Sequence, residues 1–556
     1  MSSLREPHLG PIVGHTTDRS CRLWIRAFDS ADRKGDLADD RRTIGVLAVI
    51  GEGQGEGQKD FPVEERPVFY FRLRREYDRT GTFNLGVETS LGKLGQPFPL
   101  KPDTIYRVRM ATMSVDDPLP NEEDLDGALL AQRLPAREVW RAEFDRPPLT
   151  QHEATFRTFK TPAVVDTALS FLLGSCRYPG ILFQEREADQ IFAPMLREAR
   201  GREGRAEARF ALMVGDQIYA DLLNRFVPVG RADTFEEFQE RYHAAFGSLA
   251  MRRLLRQLPS YMILDDHEIE DNWTQDRVSR DPGRSLYLNA IRAYLSYQWS
   301  HGPRTWDGPL YYTFECNGYP FFVLDTRTQR YTDEDNSLAD NHLLGRPALD
   351  PSEPSQLDRL LGWLTQQQAQ RGRAPKFVVT ASVFVPNDVA TTKGDAKKLK
   401  DDSWPAFPET RRAVLGHIVR GNIQNVVFLA GDIHCSNVAA MRFAGSPAAE
   451  ALRAVSITSS AFYWPFPFAD GNPADYVHDS TDPRTPDTFD VSGDGRITMD
   501  YKAWNFTQED NFCRLDVDQA GHRLVVHVFD WKGAHVQKDL DGRKQDLIAE
   551  LDLAAW

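Results

Sequence analysis

Cysteine is scarce in this chain, with five in 556 residues, at positions 21, 176, 316, 435 and 513. They are odd in number and widely spaced, and no CxxC pair occurs. A disulfide framework is therefore not expected, and the thiols are read as reduced. Long apolar runs are missing too. None approaches the roughly 18 residues that a membrane helix needs, so no membrane span is expected. The opening segment MSSLREPHLGPIVGHTTDRS has no apolar h-region, no twin arginine and no cleavage site. It reads as unexported, which makes a cytoplasmic location the expectation. No GxxxxGK[ST] motif is present, so P-loop nucleotide chemistry is not indicated. GxSxG is absent as well, which disfavours an α/β-hydrolase. Positive charge is in deficit: 67 Lys+Arg stand against 81 Asp+Glu, a formal charge of −14. That balance argues against a nucleic-acid or anionic-membrane footprint and leaves carboxylates to spare for cations.

What is present suits a large globular chain. Hydrophobic residues make up 41% and charged residues 27%. By length alone, two to four domains are expected at about 100–200 residues each. Residues 1–165 read as an all-β domain, because CRLWIRAF, TIGVLAVIG, VFYFRLRREY and IYRVRMATM are short β-rich runs separated by turn-like stretches. That spacing suggests a sandwich. GEGQGEGQKD (51–60) reads as a flexible hairpin loop, Val115 to Glu153 as a polar insertion, and Lys160–Asp166 as a linker.

Residues 166–556 have a different rhythm. ALSFLLGSC, RFALMVGD, YMILDDHE, YPFFVLDTR, KFVVTASV and NVVFLAGD are continuous apolar runs. Helical patterns lie between several of them, at Phe235–Leu258, Ser285–Ser300, Pro354–Arg371 and Glu409–Arg420. Strands buried on both faces of an α/β core read this way. ALRAVSITSS, NFCRLDVD and HRLVVHVFDW then return to a β pattern and are expected to complete a second sheet packed on the first.

Five of the apolar runs stop at side chains able to bind metal, and open α/β folds collect ligands at strand carboxyl ends. One run stops at Ser175-Cys176. Another stops at Gly215-Asp216, with Tyr219 three residues on. A third stops at Asp265-Asp266-His267-Glu268, with Asn272 beyond. The fourth stops at Asp325, followed by Arg327 and Arg330. The last stops at Gly431-Asp432, with His434 two further on. Each has an ordinary explanation when taken alone. Cys176 suits a small buried hydrophobe, Asp216 and Asp432 suit helix N-caps, and Tyr219 suits core packing. Together they resist that explanation, because clustered aspartates repel unless cations or protons neutralise them.

In this order, GSC, GDQIYAD, DDHEIEDNW, LDTRTQR and GDIHCS resemble the signature blocks of the alkaline phosphatase D (PhoD-like) family of metallophosphoesterases. RYHAAFGSLAMRRLLRQLPSY ahead of DDHE agrees, as do SQLDRLLGWL and DDSW after DTR. Similarity at motif level covers about Ala168 to Ser460, and the N-terminal likeness is looser. The resemblance implies a four-layer α/β/β/α catalytic domain behind the N-terminal β-sandwich. It also implies a phosphate ester substrate, with hydrolysis at a two-metal centre. By motif position, one metal would take Cys176, Asp216, Tyr219 and His434. The other would take Asp432 and Asp266, with Asn272 as an open further ligand and Asp216 bridging, and which of Asp266 and Asn272 binds the metal directly stays open.

A thiol and a phenol ionise near pH 8.5 and 10, so both need a strong Lewis acid to bind as anions at neutral pH. Ferric iron meets that need. The all-oxygen set suits a hard cation such as calcium, magnesium or manganese, and the family implies iron with calcium. His267 is expected, by the same resemblance, to face the phosphoryl or leaving oxygen as hydrogen-bond donor or general acid. Arg327 suits a phosphate clamp through its guanidinium fork, or equally an ion pair with a nearby Asp. Arg177 and Arg330 are weaker candidates of the same kind. AFYWPFPF (461–468) is a candidate wall of the substrate mouth with Trp404 opposite, or else a buried aromatic cluster. DVSGDGRITMDY (490–501) has an EF-hand-like spacing but Tyr501 at position twelve, and reads as a hairpin turn. Two other readings stay in play. One is a phosphodiesterase or phospholipase D-type hydrolase of lipid or polymeric diesters. The other is a binding protein that keeps the fold without catalysis.

Overall fold

The structure, a computed structural model, describes residues 3–28, 42–54, 57–93, 95–115, 127–162, 168–180, 185–201, 204–221, 230–303, 308–332, 338–347, 352–392, 403–466, 471–540 and 543–556. It is a mixed α/β molecule. The apolar runs form two large sheets. In the first, Leu169–Gly174, Ala211–Val214 and Ser260–Ile263 are parallel neighbours. Asn511–Asp518 then pairs antiparallel with Leu169–Gly174, and Arg523–Asp530 and Ile548–Asp552 extend the sheet beyond it. In the second, Tyr319–Val323, Lys376–Val379, Val426–Ala430 and Ala454–Thr458 run parallel. Antiparallel strands close its two edges. The sequence reading therefore needs one correction. The late β runs do not all go into the second sheet. Ala454–Thr458 joins the second sheet, whereas Asn511–Asp518 and Arg523–Asp530 join the first.

Alternation across the pleat sends the side chains of the second sheet into two cores. Phe321, Phe377, Val427 and Ile457 share a core with Phe171, Leu173 and Met213 of the first sheet. Phe322, Val378, Phe428 and Ala454 face the other way and pack with Leu360, Leu364, Val414 and Ile418. Those last four lie on the helices Gln356–Arg371 and Pro408–Arg420. Phe171 is a hub of the first core. It stacks on Phe210 with centroids 5.0 Å apart and meets Phe321 and Phe377 of the opposite sheet edge-on, at 5.6 and 5.5 Å.

Helices form where the periodic patterns lie. Thr234 and Ser355 both head a helix with a capping box, which satisfies first-turn amides that would otherwise lack partners. The pattern at 235–258 divides into Phe235–Gly247 and Leu249–Leu255, because Ser248 between them is extended (ψ 133°). No helix of the described residues is long and apolar enough to cross a membrane.

The N-terminal strands form two sheets, one of three strands and one of five. Leu23 and Ile25 of one share a core with Leu47, Val49 and Val108 of the other. The polar stretch after Val115 gives more than a loop. Residues 116–126 lie outside the described residues, but Trp140, Phe144 and Leu149 beyond them are buried against Val46 and Tyr70. Most of the expected linker, 163–167, is also outside the described residues. The turn at 490–497 closes a hairpin in which Asp490 pairs with Thr498. Buried contacts join the N-terminal strands to the rest. The Trp24 indole N–H donates to the Ser296 carbonyl at 2.9 Å. Asp78, paired with Arg26 at 2.7 Å, also accepts from Tyr297.

Removing the Phe171 ring should leave a cavity facing both large sheets. Phe171→Ala is expected to cost about 3–5 kcal/mol, seen in denaturant titration as an earlier midpoint of one shared transition. A loss confined to one region, or below about 1 kcal/mol, would show that the two sheets do not depend on this contact.

Candidate metal centre

All five motif blocks leave the carboxyl ends of strands in these two sheets. Three come from the first sheet, after Gly174, Val214 and Ile263, and two from the second, after Val323 and Ala430. The turns are tight. Cys176, Asp216, Asn272, Asp432 and His434 all have left-handed backbone, with φ between 49° and 75°. Non-glycine residues adopt that region at a cost, and such positions gather at functional sites. Two glycines let the loops close on one another. A Cβ on Gly215, itself at φ +97°, would sit 2.3 Å from Asp265, and one on Gly431 would sit 2.4 Å from the Ser175 hydroxyl.

The result is a buried cluster of ligand-type atoms. Donor atoms of Cys176, Asp216 and His434 lie within 4.8 Å of one another, as do those of Asp216, Asp265, Asp266 and Asp432. The Cys176 thiol is 3.4 Å from Asp216 Oδ2. The Tyr219 hydroxyl donates to the same oxygen at 3.4 Å and lies 3.3 Å from His434 Nε2. Asp216 thus belongs to both groups. Asn272 approaches through its backbone, whose N–H donates to Asp266 Oδ2 at 2.6 Å, while its side-chain amide turns to Asp271. The Asp266 carboxylate stands among the clustered acidic groups.

Burial dominates the electrostatics. It pushes the Cys176 thiol and the Tyr219 phenol well above their ordinary ranges, and the neighbouring Asp216 charge adds to both shifts. Asp216 is itself raised by burial and by Asp266 and Asp265, against the opposing pull of His267. Water cannot stabilise these anions here, so without a cation the site holds protons. A thiol, a phenol, an imidazole and carboxylates arranged in this way fit a strong Lewis acid beside a hard cation.

The catalytic candidates divide. Burial opposes a charge on His267, yet Asp221, Asp266 and Asp216 together hold its pKa well above the usual value. Its Nδ1 lies 2.6 Å from Asp221. Its ring lies over Tyr219 with centroids 4.2 Å apart. Arg327 is completely buried. It donates through Nε to Asp265, and its Nη2 lies 3.5 Å from Asp266 and 3.8 Å from Asp432. The ion-pair alternative is the one the geometry displays.

Three weaker candidates are enclosed. Arg177 is buried and bonded to Asp189 at 2.6 Å. Arg330 is fully enclosed, donates to the Thr326 carbonyl and to Ser382, and lies over the Phe407 ring. Trp404 is also fully buried, with its indole N–H on Thr380 and its ring against Phe384. Each of the three has partners within the protein. Trp464 of the aromatic stretch does reach the centre, stacking on His434 at 3.7 Å and 14°.

Sequence reasoning assigned no role to several residues that shape the site. Glu268 accepts the backbone N–H groups of Asp216 (3.0 Å), Gln217 (2.7 Å) and Asp265 (2.8 Å), tying two loops together. Burial raises its carboxyl to about 7. Asp221 orients His267, and the Ser460 hydroxyl lies 3.1 Å from the Cys176 sulfur. Asp221 and Glu268 stand inside the GDQIYAD and DDHE blocks, so motif membership was the available signal. Ser460 had none.

The parallel strands of two mixed sheets bring a buried cluster of carboxylate, thiol, phenol and imidazole groups together at their carboxyl ends. The family model described as PhoD-like phosphatase matches residues 189–506, and the chain belongs to that family. Alkaline phosphatase D of Bacillus subtilis (strain 168) is 27% identical over 219 residues, a match spanning 36% of this chain and 36% of that protein. The chain is thus matched over about a third of that relative's length. A solved structure described as "Structure of PhoD" superposes with a TM-score of 0.60 at 14% identity, covering 98% of this chain and 89% of that one. At that identity the likeness is one of fold.

Because the buried ligands carry raised proton affinities, a cation must compete with protons for them. Titrating metal-stripped protein with a transition-metal cation in buffers of different ionisation enthalpy should show release of about one proton or more per chain, with affinity rising from about pH 6 to 9. Affinity that is flat across that range would mean the cation binds elsewhere.

Proposed function

We propose that this chain is a metal-dependent phosphoric ester hydrolase of the alkaline phosphatase D type, working at a two-metal centre. The observation that carries the reading is the convergence of Cys176, Asp216, Tyr219, Asp266, Asp432 and His434 from separate strand ends. In this reading residues 1–165 are a β-sandwich domain and residues 166–556 a four-layer α/β/β/α catalytic domain. Cys176, Asp216, Tyr219 and His434 hold ferric iron. Asp216, Asp266 and Asp432 hold a hard divalent cation, calcium first, with magnesium or manganese as substitutes. When bound, the cations supply Lewis acidity: they offset phosphoryl charge and lower the pKa of water.

The chain's own residues do the rest. His267, with Nδ1 fixed by Asp221, has Nε2 as the atom that gives a hydrogen bond or a proton to the departing ester oxygen. Asp221 keeps the ring in one tautomer and favours its charged form. Arg327 offsets part of the repulsion among Asp265, Asp266 and Asp432. Glu268 fixes the two loops that carry Asp216 and Asp265, so the ligands need little reorganisation when substrate arrives. Both monoesters and diesters suit such a centre. The aromatic surface at Trp464 favours keeping diesters in view.

Two experiments test this. Asp216→Asn and His434→Ala should each lower kcat/KM on nitrophenyl phosphate esters by about a thousandfold or more while circular dichroism stays native. Parent rates in both variants would misplace the site. Asp221→Asn removes the nearest anion raising the His267 pKa. The ring should then lose its proton at lower pH, and the alkaline limb of the pH–rate profile should move down by about one unit. An unmoved limb would mean that His267 is not the acid.

A further inference from the structure

Trp464, which stacks on His434, also borders a cleft that the functional reading leaves unused. This cleft, of about 660 Å³, is bordered by Trp464, Ala474, His478, Phe506 and Lys538. A second hollow of about 340 Å³ shares His478, Phe506 and Lys538 with it. The space is far larger than a phosphate ion needs and falls in the range that holds organic ligands. Its inner end is Trp464, the residue stacked on His434. Further out, His478 stacks on Phe506 with centroids 4.1 Å apart at 15°, giving an aromatic surface.

We propose that this cleft is the leaving-group subsite, taking the organic part of a phosphate ester. An aromatic or otherwise flat apolar body rests against Trp464 and Phe506 while the phosphoryl group sits at the metal centre. The assignment rests on the hydrolase reading and adds the substrate class: esters of bulky, flat alcohols over esters of small ones. Two residues on the cleft wall set that preference. Ala474 is exposed at the cleft wall, and Phe506 supplies part of its aromatic lining.

The test compares 1-naphthyl phosphate with methyl phosphate, in metal-loaded parent and in Ala474→Trp and Phe506→Leu. Taking the ratio of kcat/KM for the two esters cancels any general loss of activity and the intrinsic reactivity of each ester. Ala474→Trp fills the cleft from an exposed position, so it keeps the test valid if Phe506→Leu fails to fold. The naphthyl-to-methyl ratio should fall about tenfold or more in both. A ratio within about twofold of the parent's would overturn the subsite. Binding of 1-naphthol, read by its own fluorescence, separates this proposal from the hydrolase reading. It should weaken about fivefold or more in Ala474→Trp. If the parent hydrolyses neither ester yet binds naphthol in a cleft-dependent way, the hydrolase reading fails and the cleft is no leaving-group site. If the parent hydrolyses both esters and naphthol binding ignores Ala474→Trp, the hydrolase reading stands and the subsite falls.

Discussion

Asp216, Asp265, Asp266 and Asp432 bring carboxylate oxygens within 4.8 Å of one another, next to a thiol and a phenol, with almost no water to screen them. Like charges at such distances in a medium of low dielectric repel strongly. The chain assembles them nonetheless. Arg327 offsets part of the charge, protons take up part, and what remains is suited to cations. The strand order, the glycines before Asp216 and Asp432, and the left-handed turns all make sense as means of holding this unfavourable cluster in place.

The supporting structure is correspondingly rigid. Parallel strands bring their carboxyl ends to one side, and the buried aromatics around Phe171 lock one sheet to the other. Glu268 then bolts together the loops after Val214 and Ile263 by accepting three backbone N–H groups, with the Gln298 side chain also donating to it. A carboxylate that accepts three main-chain N–H groups is well suited to fixing ligand positions, because it does not compete for the cation itself. Strain at Cys176, Asp216, Asp432 and His434 is sustained by packing that leaves these turns nowhere else to go.

Much of this was legible in the residues. Continuous apolar runs ending in Asp, His or Cys identified the buried strands and the end of each that faces the site, because strand burial and strand polarity are local properties. The helix boundaries at 234 and 355 were legible for the same reason, since capping is local. What the chain did not reveal was pairing at a distance. Nothing in NFCRLDVD marks it as a partner of Leu169–Gly174 and not of Ala454–Thr458, because both sheets bury the same kinds of side chain. Arg177, Arg330 and Trp404 suited a substrate contact by residue type, and all three are enclosed. Whether a polar tip meets solvent or a protein acceptor depends on tertiary packing. Trp464 shows the converse: a residue with an equal claim to the core stands instead at the edge of the metal cluster.

The most direct measurement is the metal content of the purified chain, by elemental analysis with a visible absorption spectrum, in the parent and in Cys176→Ser and Tyr219→Phe. The account predicts about two cations per chain in the parent, one of them iron. A visible charge-transfer band should accompany them and shift or vanish in the two variants. A parent that binds no stoichiometric metal, or a band and metal content indifferent to both substitutions, would contradict it.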